Sequence, residues 1–246
     1  MSGAVTWHHR RLAAFDLETT GIDSESDRIV TAAVSLVGDD QPSVFHAWLL
    51  DPGIPIPAGA AAVHGITTER ARAEGRSPLE AIEEIVAVLA EQLLHGVPVV
   101  AFNARFDLTC LDREARRHGI TPLLDRIGGA NGLLVIDPYV LDKQVDRFRK
   151  GKRTLGAVCA HYNVSLDEAH DSHADALAAA RVAWRLGQAF EELRIELPAL
   201  HAQQIAWAAE QAASFQDWLR RNGRDERIEP AWPIVPVPEA PLPLAA

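Results

Sequence analysis

Cysteine, methionine and tyrosine are scarce in this chain, whose 246 residues include two cysteines, one methionine and two tyrosines. Cys110 and Cys159 form neither a CxxC motif nor a disulfide framework, which favours a reducing compartment and predicts a cytoplasmic protein. Long hydrophobic runs are also missing, because the apolar run after Arg11 stops at Asp16. We therefore expect neither a signal peptide nor a membrane span.

Positive charge is in short supply as well. Lysine and arginine together number 24 against 34 aspartates and glutamates, so the formal net charge is -10. An acidic chain can bind nucleic acid only through a local basic patch or through metal ions. The length and the 48% hydrophobic content predict one domain with additions, divided as residues 1–195, a C-terminal helix over 196–223 and a proline-rich, extended tail over 224–246.

Two carboxylates stand at the end of a short apolar segment, in Phe15-Asp16-Leu17-Glu18. If residues 12–17 form a strand, its two-residue period puts Asp16 and Glu18 on one face. Like charges that close repel unless a cation neutralises them, and oxygen ligands suit Mg²⁺ or Mn²⁺. Taken alone, the pair could equally be two solvated acids at a strand end.

Two later segments carry similar residues. Asp107 falls in the first turn of a helix predicted over 104–118, directly after a strand predicted over 98–101, although it could serve only the helix dipole. His170, Asp171, His173 and Asp175 open a helix that runs to about residue 190, where Asp171 or Ser172 could act as the N-cap. Histidines and acids at this density are typical of a functional site.

The segments Asp16-x-Glu18-Thr19-Thr20-Gly21, Phe102-Asn103-Ala104-Arg105-Phe106-Asp107 and His170-x4-Asp175, in this order, resemble the three exonuclease motifs of the DEDDh 3′→5′ exonucleases. The most similar branch is the proofreading epsilon subunit of bacterial DNA polymerase III and its relatives. A fourth segment, Ala62-Val63-His64-Gly65-Ile66-Thr67, also matches that family. The resemblance covers roughly residues 10–189.

The resemblance implies a role for each matching residue. Asp16, Glu18 and Asp175 would bind one divalent cation directly, and Asp16 together with Asp107 would hold a second, with Mg²⁺ or Mn²⁺ as the ions. His170 would be the general base, since a neutral imidazole can accept a proton from water at pH 7. His173 is the competing histidine, and its alternative role is that of an exposed first-turn residue.

Further residues are expected to contact the substrate. Thr19 and Thr20 would offer backbone or hydroxyl contacts to the terminal nucleotide, and Asn103 lies in the second motif. His64 and Phe106 resemble residues that contact the terminal sugar or base, although both could instead be packing residues.

A basic segment over residues 143–153 holds six basic residues and one acid. We expect it to be a loop that contacts substrate phosphates through Lys143, Arg147, Arg149, Lys150, Lys152 and Arg153, with a solvated basic face as the alternative.

The pattern of apolar residues predicts an α/β protein with a ribonuclease H-like fold. Strands over 12–17, 28–37 and 44–50 should pair antiparallel, and strands over 98–101 and 133–136 should add in parallel, which gives a mixed five-stranded sheet flanked by helices. A capping box at Ser77 and Glu80 predicts a helix start. In the helix that opens at residue 170, Leu177, Ala180 and Trp184 should face the core, and Ile205 and Phe215 should do so in a C-terminal helical extension over 198–222.

These observations favour a metal-dependent 3′→5′ exonuclease that hydrolyses single-stranded nucleic acid, with DNA favoured, to nucleoside 5′-monophosphates. Proofreading would require a DNA polymerase catalytic subunit as a partner, whereas a repair exonuclease would act alone. The alternatives are an exoribonuclease that trims RNA, and a non-enzymatic nucleic-acid-binding module on the same fold. The choice between DNA and RNA stays open, because one or two residues can accept or exclude a 2′-hydroxyl.

Overall fold

The computed structural model describes residues 6–166 and 171–237, and within them five strands form one sheet in the order β3-β2-β1-β4-β5. The first three strands pair antiparallel, and β4 and β5 run parallel to β1. The predicted mixed sheet is therefore confirmed, with its last two strands shorter than expected. The strands are β1 (Leu12–Thr19), β2 (Ile29–Val37), β3 (Val44–Leu49), β4 (Val99–Val100) and β5 (Val135–Ile136).

Helices cover both faces of this sheet. None in the described part of the chain is long and apolar enough to cross a membrane. Two short helices before α3, and α5 and α6 beyond it, were not expected from the sequence. The helices are α1 (Ala58–His64), α2 (Thr68–Glu74), α3 (Pro78–Leu94), α4 (Ala104–Arg117), α5 (Leu123–Arg126), α6 (Pro138–Val145), α7 (Leu155–His161), α8 (Ser172–Ala189) and α9 (Leu197–Arg221).

The side chains of β1 alternate between two hydrophobic cores. Ala13, Phe15 and Leu17 pack with α3 and α4 on one face. Ala14 packs on the opposite face with the alanines of α8. Because Asp16 continues the alternation of Ala14, its carboxylate emerges on the side of the sheet that α8 covers.

The face that α8 buries differs from the prediction. Trp184 is 36% exposed, whereas Ala176, Ala179 and Ala183 are buried against the sheet. Side chains this small let the helix backbone lie close to β1 and β2, where a tryptophan would force the layers apart. The expectation that Trp184 faces the core was therefore wrong.

Helix α9 covers the open edge of β5 with polar side chains. His201 Nδ1 accepts from the Val135 N–H at 3.1 Å, and Gln204 accepts from the Asp137 N–H at 2.8 Å and donates to the Val135 carbonyl at 2.9 Å. These bonds satisfy backbone groups that an edge strand would otherwise expose. Because α9 is rotated to present His201 and Gln204, Ile205 and Phe215 are 44% and 47% exposed, contrary to the prediction.

Helix α3 begins as predicted in position but not in detail. Ser77 is its N-cap residue and Pro78 its first residue, yet the Ser77 side chain makes no capping hydrogen bond. The prediction of a capping box at Ser77 and Glu80 was therefore wrong. The helix start itself is confirmed, and Ile82, Ile85 and Leu89 of this helix are fully buried.

Candidate active site

Three carboxylates converge where β1 ends and α8 begins. Asp16 and Glu18 come from β1, and Asp175 comes from the first turn of α8. One oxygen from each of the three side chains can be chosen so that all lie within 4.8 Å of one another. Asp171 is the N-cap of α8, where its carboxylate accepts from the N–H groups of His173 at 3.0 Å and Ala174 at 3.1 Å.

Asp107 approaches the same point from the other side of the sheet. It lies in the first turn of α4 and is buried, and its Oδ1 accepts from the Leu17 N–H at 3.1 Å. Strand β4 ends at Val100, which pairs with Ala14, so β1 has no β4 partner at the level of Leu17. The short β4 therefore leaves a backbone donor that fixes the Asp107 carboxylate against the end of β1.

The site concentrates negative charge in a poorly solvated place. Burial, followed by the charges of Asp107, Asp175 and Glu18, raises the pKa of Asp16 well above its ordinary value. Burial, followed by the charges of Asp175 and Asp171, raises the pKa of Glu18 from 4.5 to about 7. Burial also raises the pKa of Asp107, although N–H donors that include Leu17 act against it.

A bound divalent cation would reverse this unfavourable arrangement. Carboxylate oxygens are hard ligands of the kind that Mg²⁺ and Mn²⁺ prefer, and a cation favours the ionised form of each of them. The donor set and its raised pKa values therefore fit a metal site. Among the described residues, Asp16, Glu18 and Asp175 form the group that could hold the ion.

Two histidines, His170 and His173, are candidates for the general base. His170 lies outside the described residues. His173 is partly buried on α8, where its Nδ1 is 3.1 Å from the Ser35 hydroxyl and its ring meets Phe45 edge to face at 4.7 Å. These contacts hold the His173 ring against β2 and β3.

The turn after β1 uses the hydroxyl groups that the sequence had suggested for substrate. Thr19 donates to the Gly21 carbonyl at 2.6 Å, and Thr20 donates to the Asp27 carboxylate at 2.7 Å. A Cβ on Gly21 would lie 2.5 Å from Asp27 Oδ2, so a larger residue there would displace the carboxylate that binds Thr20. The prediction of hydroxyl contacts is revised, because both protons are already donated within the turn and only acceptor lone pairs remain for a ligand.

A cavity of about 800 Å³ opens beside this turn. Its walls include all five of the residues predicted to contact the terminal nucleotide, and His64 Nδ1 accepts from the Ile66 N–H at 3.2 Å. Sequence reasoning missed other lining residues. The predicted residues are Thr19, Thr20, His64, Asn103 and Phe106, and those that were missed include Ile22, Pro57, Arg105, Glu229 and Val235.

Buried Asp137 organises the start of α4, which carries Asp107. Its carboxylate accepts from the N–H groups of Asn103 at 2.9 Å and Ala104 at 3.0 Å, and Asn103 has the left-handed φ of 65°. The Trp232 indole N–H donates to the same carboxylate at 3.1 Å. Asp137 is thus a positioning residue, and a segment of the C-terminal tail holds it in place.

The described part of that tail packs on the domain. Trp232 is buried, the Val235 N–H donates to the Thr109 hydroxyl at 3.0 Å, and the Arg113 guanidinium donates to the Val235 carbonyl at 2.9 Å. The tail has no helix or strand here and follows the surface of α4. It therefore builds one wall of the cavity through Glu229 and Val235.

The basic segment divides into an inner and an outer set. Arg149 and Arg153 each place a nitrogen 2.6 Å from Oδ2 of fully buried Asp142, so their charge is used inside the protein. The expectation that they bind phosphate is corrected accordingly. Lys143 lies in α6 rather than in a loop, while the outer residues Arg147, Lys150 and Lys152 are exposed.

The chain can now be compared with known proteins. A family model described as "Exonuclease" (RNase_T) matches residues 13–183. The chain belongs to this exonuclease family. The match ends inside α8, so the end of that helix, all of α9 and the tail lie beyond it.

Curated relatives include proteins named "DNA polymerase III PolC-type". The one from Lacticaseibacillus paracasei is 27% identical over 164 residues, which cover 67% of this chain and 10% of the relative. The one from Listeria monocytogenes is 28% identical over 173 residues, which cover 70% of this chain and 11% of the relative. This chain thus spans about a tenth of the length of these polymerases.

Solved structures with a similar fold include exonuclease I. The Escherichia coli enzyme in complex with a dT13 oligonucleotide superposes with a TM-score of 0.61 at 19% identity, covering 74% of this chain and 43% of that one. Exonuclease I from Methylocaldum szegediense superposes with a TM-score of 0.60 at 23% sequence identity. The match covers 74% of this chain and 41% of that one. These neighbours confirm the predicted ribonuclease H-like fold.

Proposed function

We propose that this protein is a 3′→5′ exonuclease that hydrolyses single-stranded nucleic acid, with DNA favoured, to nucleoside 5′-monophosphates. The observation that carries the proposal is the convergence of Asp16, Glu18 and Asp175 within 4.8 Å, with Asp107 fixed beside them and Glu18 lining a cavity. A protein that only binds nucleic acid has no use for four acids whose mutual repulsion costs stability.

Each acid has a defined task in this proposal. Asp16, Glu18 and Asp175 would hold one divalent cation, and Asp16 with Asp107 a second. When bound, Mg²⁺ or Mn²⁺ ions would stabilise the charge that develops on the attacking and leaving oxygens of a displacement at phosphorus. The ionised carboxylates supply the charge that keeps such ions in place, and burial keeps the carboxylates from reorienting.

Water must lose a proton as it attacks phosphorus, and His170 is the residue we assign to accept it. Two points support His170 over His173. His170 occupies the position that the family resemblance assigns to the base, and the His173 ring is already held by Ser35 and Phe45.

The cavity walls would position the terminal nucleotide. Phe106 can stack on a base, the His64 ring lines the same cavity, and the exposed Arg147 and Lys150 can contact phosphates further along the strand. DNA is favoured over RNA because the relatives are named as DNA polymerases and a structural neighbour binds dT13. The same relatives support association with a DNA polymerase catalytic subunit, with free-standing repair as the alternative.

Matched DNA and RNA oligonucleotides labelled at either end provide the test. With Mg²⁺ or Mn²⁺, we expect the 3′ label to be released at once as a mononucleotide and the 5′ label to shorten one residue at a time. Faster cleavage of the RNA would favour RNA trimming. Internal cuts, release from the 5′ end, or no cleavage of any strand would contradict the proposal.

A further inference from the structure

A groove continues from the candidate active site along α6 and α9. The cavity beside the acids shares Asn103 and Arg105 with a second cavity of about 160 Å³. The second shares Tyr139, Lys143 and Phe215 with a third of about 470 Å³. Shared wall residues thus place the three cavities in a row that leads away from the end of β1.

The far end of this groove carries exposed aromatic rings. Phe148 is 91% exposed, and Phe215 and Trp218 are 47% and 46% exposed. The latter two rings stack with their centroids 5.8 Å apart and an interplanar angle of 12°. Clustered exposed rings are unusual on a protein surface and mark a binding site.

Cations alternate with these rings. Lys143 Nζ lies 4.7 Å from the centroid of the Tyr139 ring, and Arg147 is exposed beside Phe148. Lys143 and Arg147 line the third cavity, as does the acidic Glu210. In a chain with a net charge of -10, this concentration of cations favours a polyanion over an apolar protein surface as the occupant.

The inner residues of the basic segment hold this surface in shape. Asp142 is fully buried and receives Arg149, Arg153 and the Tyr162 hydroxyl, the last at 2.9 Å. Gln211 donates to the Val140 carbonyl at 3.0 Å and so ties α9 to α6. The exposed rings therefore project from a fixed scaffold, and ordering them on binding costs little entropy.

From these features we infer that the groove binds the single strand that leads into the active site. Successive bases stack on Phe148, Phe215 and Trp218, while Lys143 and Arg147 contact phosphates. The direction of the strand, with its 3′ end at the acids, rests on the proposed function. The groove lies largely on α6, α9 and the tail, and α9 and the tail are outside the part of the chain that matches the family model.

Strand length separates the groove from the first cavity. The eight helical residues of α6 alone span about 12 Å, several times the spacing of about 3.4 Å between successive nucleotides of one strand. A dinucleotide bound at the acids therefore stays in the first cavity, whereas a strand of about 12 nucleotides extends beyond the length of α6.

The experiment uses the full chain and two substrates, a thymidine dinucleotide and an oligothymidylate of about 12 nucleotides. Affinity for the long strand is measured by fluorescence anisotropy in a chelator, and kcat/KM is measured for both substrates with Mg²⁺. The variants are Phe148→Ala, Trp218→Ala and Trp218→Phe. The control is Trp184→Ala, which removes a tryptophan that is 36% exposed on α8 and does not line the groove.

Each alanine variant should weaken long-strand binding by about 5- to 100-fold, the range measured for loss of one base–aromatic stack. Trp218→Phe should retain most of the affinity, because any aromatic ring can stack. Dinucleotide cleavage should be unchanged, and the control should bind like the wild type.

Unchanged long-strand affinity in both alanine variants would overturn the inference. So would normal strand binding combined with loss of binding to a polymerase catalytic subunit, which would make the groove a protein-docking site. An affinity loss that Trp218→Phe shares would point to a distorted helix and would also count against stacking. The proposed function fails separately, if the wild type binds the long strand but cleaves neither substrate.

Discussion

Replacing Glu18 with glutamine should stabilise the metal-free protein at alkaline pH. The pKa of Glu18 rises from 4.5 to about 7 because of burial and because of the charges of Asp175 and Asp171. A carboxyl whose pKa is raised by folding contributes stability that is fully present below its unfolded pKa and is lost as the pH rises through its folded pKa. The wild type should therefore lose stability between about pH 4.5 and pH 7 as Glu18 ionises, and Glu18→Gln should lack this part of the loss while keeping the part that comes from Asp16.

The size of the effect follows from the pKa shift. A pKa that rises from 4.5 to about 7 corresponds to ~3 kcal/mol, and solvent screening of this partly exposed group reduces that free energy to ~1–2 kcal/mol. For a domain of this size, that is an increase of about 2 to 8 °C in Tm at pH 8. Near pH 4 the two proteins should melt together. The assay is thermal unfolding in a chelator across this pH range.

A bound metal ion should reverse the order of stability of the wild type and Glu18→Gln. Saturating Mn²⁺, at about 100 times its Kd, stabilises a protein by ~2.7 kcal/mol. The wild type should gain this stabilisation, whereas Glu18→Gln has lost a ligand and should gain less. With metal at pH 8, the wild type should be the more stable protein.

Glu84 offers a control for the sign of the stability change at pH 8. Hydrogen bonds from Arg76 and then Trp48 lower the pKa of Glu84 to about 2, so its ionised form is favoured in the folded protein. Glu84→Gln should destabilise the protein at pH 8, and metal should not change that result. If metal-free Glu18→Gln is instead less stable than the wild type at pH 8, the idea of a strained acidic cluster is refuted.

Two more variants test the base and the outer cations. His170→Ala should slow hydrolysis by about 10² to 10⁴-fold, whereas His173→Ala, which removes a ring held by Ser35, should have a minor effect in the same steady-state assay. The reverse ranking would mean that the third motif is assigned to the wrong histidine. Replacing Arg147, Lys150 and Lys152 with glutamine should lower the slope of log affinity against log salt by roughly 2 on a long single strand, since each phosphate contact contributes about 0.7. An unchanged slope would remove these residues from the binding surface.

The sequence predicts the acidic end of β1 because its cause is local. A strand has a two-residue period whatever it packs against, so Asp16 and Glu18 share a face once residues 12–17 are identified as a strand. The N-cap role of Asp171 is local in the same sense, and Asp171 was one of the two residues considered for it. The approach of Asp107 follows less directly, because it depends on β4 being only two residues long.

Side-chain pairings that no regular sequence pattern marks could not be predicted. Asp142 pairs with Arg149 and Arg153 across a turn that no periodicity marks, so a segment of six cations looked like one phosphate-binding loop. The start of α6 did leave a local signal, since Asp137 as N-cap followed by Pro138 is a typical helix start.

The faces of α8 and α9 were predicted only in part, since Ala180 is buried as expected while Trp184, Ile205 and Phe215 are exposed. Hydrophobicity patterns identify large apolar residues, but α8 packs through alanines and α9 packs through His201 and Gln204, which bind the edge of β5. The role of Trp232 depends on a contact with Asp137, 95 residues earlier in the chain. No pattern within the tail predicts that contact.

Turnover by Asp16→Asn tests the central claim most directly. This substitution keeps the shape of the side chain and removes the charge of the acid that both proposed metal ions share. At saturating Mg²⁺ or Mn²⁺, we expect no measurable release of mononucleotides and a metal-free Tm at least as high as that of the wild type. Asp39→Asn, the same change on the exposed turn between β2 and β3, should leave turnover unchanged. A near-normal rate for Asp16→Asn would contradict the proposed active site.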